Sequence, residues 1–127
     1  MAGHRDLIVW QKSMDLVVEI YRLVKKLPRE ETYSLSDQMR RAVVSIPSNI
    51  AEGNARDYSS KDIVHFLSMA QGSRAELDTQ LEICARLNFF SQDEINIAAE
   101  LSAQIRRMLA VMIRNKKESQ QKPKSDV

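Results

Sequence analysis

Glu76, Asp78 and Glu82 lie within two helical turns of one another, and carboxylates gathered in that way are the residue set that comes nearest to chemistry: they can hold a divalent cation. The plainer reading is an ion-pair network between helices, which perturbs acidic side chains without any catalytic role. Asp78 and Glu82, four residues apart, repel each other on a helix unless a cation lies between or opposite them. Arg41 is the residue expected to pair with Glu76 or Glu82. Nucleophilic chemistry lacks its parts. His65 has Lys61 beside it but no Ser or Cys placed by a motif, and His4, His65 and the single Cys84 are too few for a zinc site. No phosphate-cradling glycine loop, dinucleotide fingerprint or metal-ligand spacing occurs. The expectation is a protein with no enzymatic activity, no catalytic residue, no metal and no cofactor.

The basic residues offer more. Net charge is only +2, but its distribution is uneven. Residues 76–100 hold six acids and one base, whereas 101–124 hold seven bases and one acid. Arg106, Arg107, Arg114, Lys116 and Lys117 are the strongest candidates for contacting nucleic-acid phosphates, although cations near a helix C-terminus also answer the helix dipole. Arg22, Lys25, Lys26 and Arg29 form a second cluster, and Arg40 is a further candidate beside Arg41. The plainer reading of Arg22, Lys25, Lys26 and Arg29 is a solvated face, and that of Arg40 is a structural one beside the paired Arg41. Tyr33 and Tyr58 are the aromatics expected on the surface for base stacking, so binding should be led by phosphates and be weakly sequence-specific.

These side chains must be positioned by helices. Leu7, Trp10, Met14, Val17, Tyr21 and Val24 recur at steps of three and four, with Leu16, Ile20, Leu23 and Leu27 as a second stripe. Together they cover an arc of about 200°, wider than a single buried face requires. Trp10, Met14 and Ile20 are therefore the expected oligomer interface. Pro28 stops this helix, predicted over 6–26. A polar linker, Arg29 to Ser34, leads to a second helix over 35–53, carrying Met39, Ala42, Val43, Ile46 and Ile50 and ending at Gly53 as a left-handed cap. Pro47 predicts a kink that frees the Val43 carbonyl, with Ser48 or water to satisfy it. Ser48, Asn49 and Glu52 read either as a ligand or subunit contact or, more plainly, as part of a kinked helix pressed against the third.

The third helix, 60–87, starts with Ser59 and Asp62 as a capping box and Tyr58 and Ile63 as a hydrophobic staple. A close crossing at Ala70, Gly72 and Ser73 would compensate the helix-breaking tendency of Gly72. Asn88 ends it. Ser91, Glu94, Phe90 and Ile95 repeat the start signals for a fourth helix over 92–116. Residues 118–127 are expected as a disordered polar tail after a bundle spanning 1–117. With 43% hydrophobic residues and only 3 Gly and 3 Pro in 127 residues, the fold class is all-α, an antiparallel up-down four-helix bundle in one domain. No segment is apolar enough for a membrane, so the protein is expected in the cytoplasm.

The strings Asp6 to Lys12, Gln38 to Ala42 and Ser45 to Gly53, with Phe66-Leu67, Gly72-Ser73 and Glu76-Leu77, resemble the "four helix bundle protein" or 23S rRNA-intervening-sequence protein family. The resemblance runs from Arg5 to Arg114, departing at Ser34 and Ala55, where the family often has Gly. It implies kinship with the accessory variability protein of diversity-generating retroelements. It further implies a ring-shaped homopentamer that binds RNA or DNA, with a partner such as a reverse transcriptase. A protein-binding scaffold without nucleic-acid contact is the alternative.

Overall fold

The computed structural model describes residues 3–55 and 59–121. Among them are four long helices, α1 (Ile8–Val24), α2 (Asp37–Gly53), α3 (Ser60–Arg86) and α4 (Gln92–Gln121), with a short 3₁₀ turn over His4–Asp6. Each helix neighbours the next, and α4 closes back on α1. Directions follow from the contacts. Ser45 meets Ser73 and Met39 meets Cys84 across α2 and α3, while Gln71 reaches Arg106 and Asp78 reaches Ser102 across α3 and α4. In both pairs the numbers rise on one helix as they fall on the other, so neighbours are antiparallel and the arrangement is up-down-up-down.

The stripes read from the sequence supply the core. Leu16, Ile20 and Leu23 of α1 meet Met39, Val43, Ile46 and Ile50 of α2, Leu67, Ala70, Leu77 and Cys84 of α3, and Ile105 and Leu109 of α4. Ile20 has no exposed surface, so it belongs to the bundle's own interior and not to an oligomer interface. Trp10 is half-buried against the core, and Met14 remains exposed. The apolar side chains that α1 leaves most open are instead Ile8 (60%) and Val18 (69%).

Local signals fix the helix ends. The Ser59 hydroxyl accepts from the Asp62 N–H and the Asp62 carboxylate accepts from the Ser59 N–H, the reciprocal box that satisfies two orphan donors. Ser91 and Glu94 repeat it, with Phe90 and Ile95 both buried. Asn88 has φ 61°, and the Asn88 and Phe89 N–H groups donate to the Ala85 and Cys84 carbonyls, a Schellman ending. The staple partner Tyr58 lies outside the described residues.

Several expectations are corrected. The stretch from Arg29 is not an open linker: a 3₁₀ turn, Arg29–Glu31, and a π-helical turn, Thr32–Ser36, lead straight into α2, anchored by the buried Leu35. α2 runs through Pro47, and the Ser48 hydroxyl donates to the Val44 carbonyl, not to that of Val43. Gly53 is not left-handed. A Cβ there would lie 3.2 Å from the Phe66 Cβ, so its lack of a side chain lets α2 approach α3. Gly72, by contrast, faces open space; the crossing it was expected to serve is made by Ser73, whose hydroxyl donates to Ser45 Oγ at 2.8 Å. α4 continues to Gln121 because Glu118 to Gln121 includes good helix formers and no breaker precedes Pro123.

Candidate nucleic-acid interface

At the end of the bundle where α1 finishes, Arg22 is held by its own helix. It donates Nε and Nη2 to the two carboxylate oxygens of Glu19 at 2.6 and 2.8 Å, and Glu19 is almost wholly buried. This fork-to-fork bond and the Glu19 charge raise the Arg22 pKa above its ordinary value. Lys26 stands 3.9 Å from Glu94, a half-exposed pair of small energetic weight. The Glu94 carboxyl is held below the usual carboxylate range chiefly by the Ser91 N–H, with Lys26 and Arg22 adding to it. Lys25 and Arg29 are exposed, and neither has a carboxylate partner among the described residues. Tyr33 projects from the π-helical turn at 96% exposure.

Arg41 pairs with Asp37, one turn earlier on α2, at 3.1 Å, not with Glu76 or Glu82. The i,i+4 partner on the same helix forestalls a longer reach to α3. Arg40 is half-buried in the groove between α1 and α2.

Two of the three acids in the run on α3, Asp78 and Glu82, are held in ion pairs, while Glu76 is exposed and has none among the described residues. Arg74, 8% exposed, donates to Asp78 Oδ2 at 2.6 Å and to Gln71 Oε1 at 2.8 Å, while Asp78 Oδ1 accepts from the Ser102 hydroxyl of α4 at 2.6 Å. Arg86 takes Glu82. Arg74 was not singled out in the sequence, although its position four residues before Asp78 is the available signal. Among the described residues no three of His, Cys, Asp and Glu are placed to hold a metal ion. His65 is exposed, with only an edge-on ring contact to Phe66, and burial pushes the Cys84 thiol up to about 11. A buried thiol held protonated in this way is not an activated nucleophile.

The second half of α4 is different. Arg106, Arg107, Arg114, Lys116 and Lys117 are all exposed, and none has a carboxylate partner among the described residues. At 100° per residue Arg107, Arg114 and Lys117 fall on one stripe with Arg106 at its edge, while Lys116 turns toward the bundle end beside Met112 and Asn115. The helix dipole does not account for them, because the last turn of α4 lies beyond Lys117 and carries no base. The basic candidates therefore do not converge. Glu94, beside Lys26, and Arg114 are separated by about 30 Å along the axis of α4.

The 23S rRNA-intervening sequence protein family matches residues 5–111. The chain belongs to that family. It is also similar to a crystal structure of a protein of unknown function from the S23 ribosomal protein family of Bacteroides thetaiotaomicron. Identity is 27%, with 84% of this chain and 98% of that one covered and a TM-score of 0.76. No curated protein matches it. Neither the family's description nor that of the Bacteroides protein names a reaction. Among the described residues no helix is long and apolar enough to cross a membrane.

Proposed function

We infer that this chain is a non-enzymatic accessory protein that holds nucleic acid by its phosphates, chiefly along Arg106, Arg107, Arg114, Lys116 and Lys117 of α4. Lys25 and Arg29 form a lesser patch at the far end of the bundle. The observation that carries this reading is the contrast in pairing. Arg22, Arg41, Arg74 and Arg86 are each matched by a carboxylate, whereas the cations of α4 are left without one among the described residues. Unmatched cations along one helix suit a polyanion, and membership of a family named for an rRNA insertion is consistent with an RNA ligand.

The test is a filter-binding titration at two salt concentrations. The four cations of the stripe and its edge, Arg106, Arg107, Arg114 and Lys117, give a slope of about −3.6 on a duplex, so affinity should fall roughly 150-fold between about 50 and 200 mM salt. No retention of RNA or DNA at the lower concentration would sink the reading. A reverse transcriptase is the protein partner the family resemblance supplies, and co-purification with one tests it.

Self-assembly belongs to the same proposal. Met69, Ile83 and Leu87 are exposed apolar side chains of α3, and Trp10, Met14, Val17 and Pro47 line a groove between α1 and α2. Two different faces suit a head-to-tail contact, which gives a ring when the rotation between copies closes and an open filament when it does not; the family resemblance favours the ring. A solution mass of 14.6 kDa by light scattering would remove the oligomer. The same exposed apolar side chains favour a second reading, a protein-binding scaffold whose basic faces are merely solvated.

A further inference from the structure

We propose that the groove between α1 and α2 lined by Tyr21, Asp37, Arg40, Arg41 and Ser45 is a phosphate-binding site, built around the Arg40 guanidinium. Arg40 is half-buried yet has no carboxylate partner among the described residues, whereas the more deeply buried Arg74 is matched to Asp78. A cation that gives up part of its hydration without a counter-charge is a cost unless a ligand supplies one. The groove's one carboxylate, Asp37, is already engaged by Arg41 Nε at 3.1 Å. The Ser45 hydroxyl oxygen accepts from Asn49 Nδ2 at 2.9 Å and from Ser73 Oγ at 2.8 Å, which leaves its own proton with no acceptor among the described residues. The Tyr21 phenol, partly exposed, likewise has no acceptor there. The groove thus offers donors and has spent its charged acceptor. A planar fork flanked by two hydroxyls fits a tetrahedral oxyanion with several acceptor oxygens.

The phosphate comes from a nucleic-acid backbone or from free phosphate in solution. The first source rests on the proposed function, but the groove lies on the α1–α2 face and not on the basic stretch of α4, so the two readings fail separately. The experiment uses the full chain with a short single-stranded oligonucleotide, and inorganic phosphate against chloride at matched ionic strength. Arg40→Gln should weaken oligonucleotide binding about tenfold and reduce the salt slope by about one contact. Tyr21→Phe, which does not challenge the fold, should weaken it several-fold. If both variants bind like the parent while Arg107→Gln weakens binding, the groove is not a phosphate site and the α4 reading stands. If the parent binds no oligonucleotide, the α4 reading falls. The groove is then decided by the ¹⁵N-resolved Nε–H signal of Arg40: a shift with millimolar phosphate and not with chloride supports it, and no shift overturns it.

Discussion

Gly53 and Gly72 sit in consecutive helices, and substituting each by Ala should move stability in opposite directions. Gly72 is in the interior of α3 with nothing within 4 Å of where a Cβ would stand, so an Ala there meets no obstacle and recovers the helix propensity that Gly forfeits, about 1 kcal/mol. For a chain of 127 residues that corresponds to a rise in Tm of about 4 °C. At Gly53 the new Cβ would lie 3.2 Å from Phe66 Cβ and 3.6 Å from both the Ile63 carbonyl oxygen and Leu67 Cδ2. The first two of these are fixed to the backbone of α3 and cannot swing away, so α2 and α3 must separate by a few tenths of an ångström along a buried seam. Overpacking of this kind costs about 1–3 kcal/mol, and the offsetting propensity gain is small because Gly53 is the last residue of α2. A net loss of about 1 kcal/mol, or a Tm lowered by about 4 °C, is expected. Urea unfolding of both variants at two protein concentrations, with m-values compared to the parent, measures it. A Gly53→Ala variant as stable as the parent would refute the close-approach argument. A Gly72→Ala variant that loses stability equally at both protein concentrations would refute the open-space argument, whereas a loss that depends on concentration would place a second copy on that face.

Other perturbations have equally definite outcomes. Asp78→Ala leaves the buried Arg74 without its carboxylate and Ser102 without its acceptor, and should cost about 3 kcal/mol by denaturant unfolding. Ser91→Ala removes half of a capping box and should cost about 1 kcal/mol. Because the folded Glu94 carboxyl is held below its unfolded value, the stability it supplies is present above the ordinary carboxylate range. It is lost as pH falls through the lowered value, and Glu94→Gln should flatten that acid limb of the urea midpoint. Cys84, fully buried and pushed up to about 11, should resist iodoacetamide at pH 8 in the folded protein and react only at the rate of opening.

The sequence by itself determined the helices and most of their ends. Periodicity, two Ser-led capping boxes and Asn88 act over three to five residues, and their geometry is set by the helix whatever lies alongside. It also determined the uneven charge that makes α4 the leading candidate surface. Only the tertiary structure decided what each position faces. Ile20 lay within an arc wide enough for two roles, and the arrival of α2 and α4 placed it inside. The close approach expected at Gly72 is made at Gly53, because it depends on where two axes cross, which no local pattern encodes. Arg22 and Arg41 found carboxylates on their own helices, whereas Arg74 and Asp78 needed Ser102 of α4 to complete their network. The basic side chains were separated into patches about 30 Å apart because a straight helix carries its residues along its axis at a fixed rise, and antiparallel packing sends the end of α1 and the end of α4 to opposite ends of the bundle.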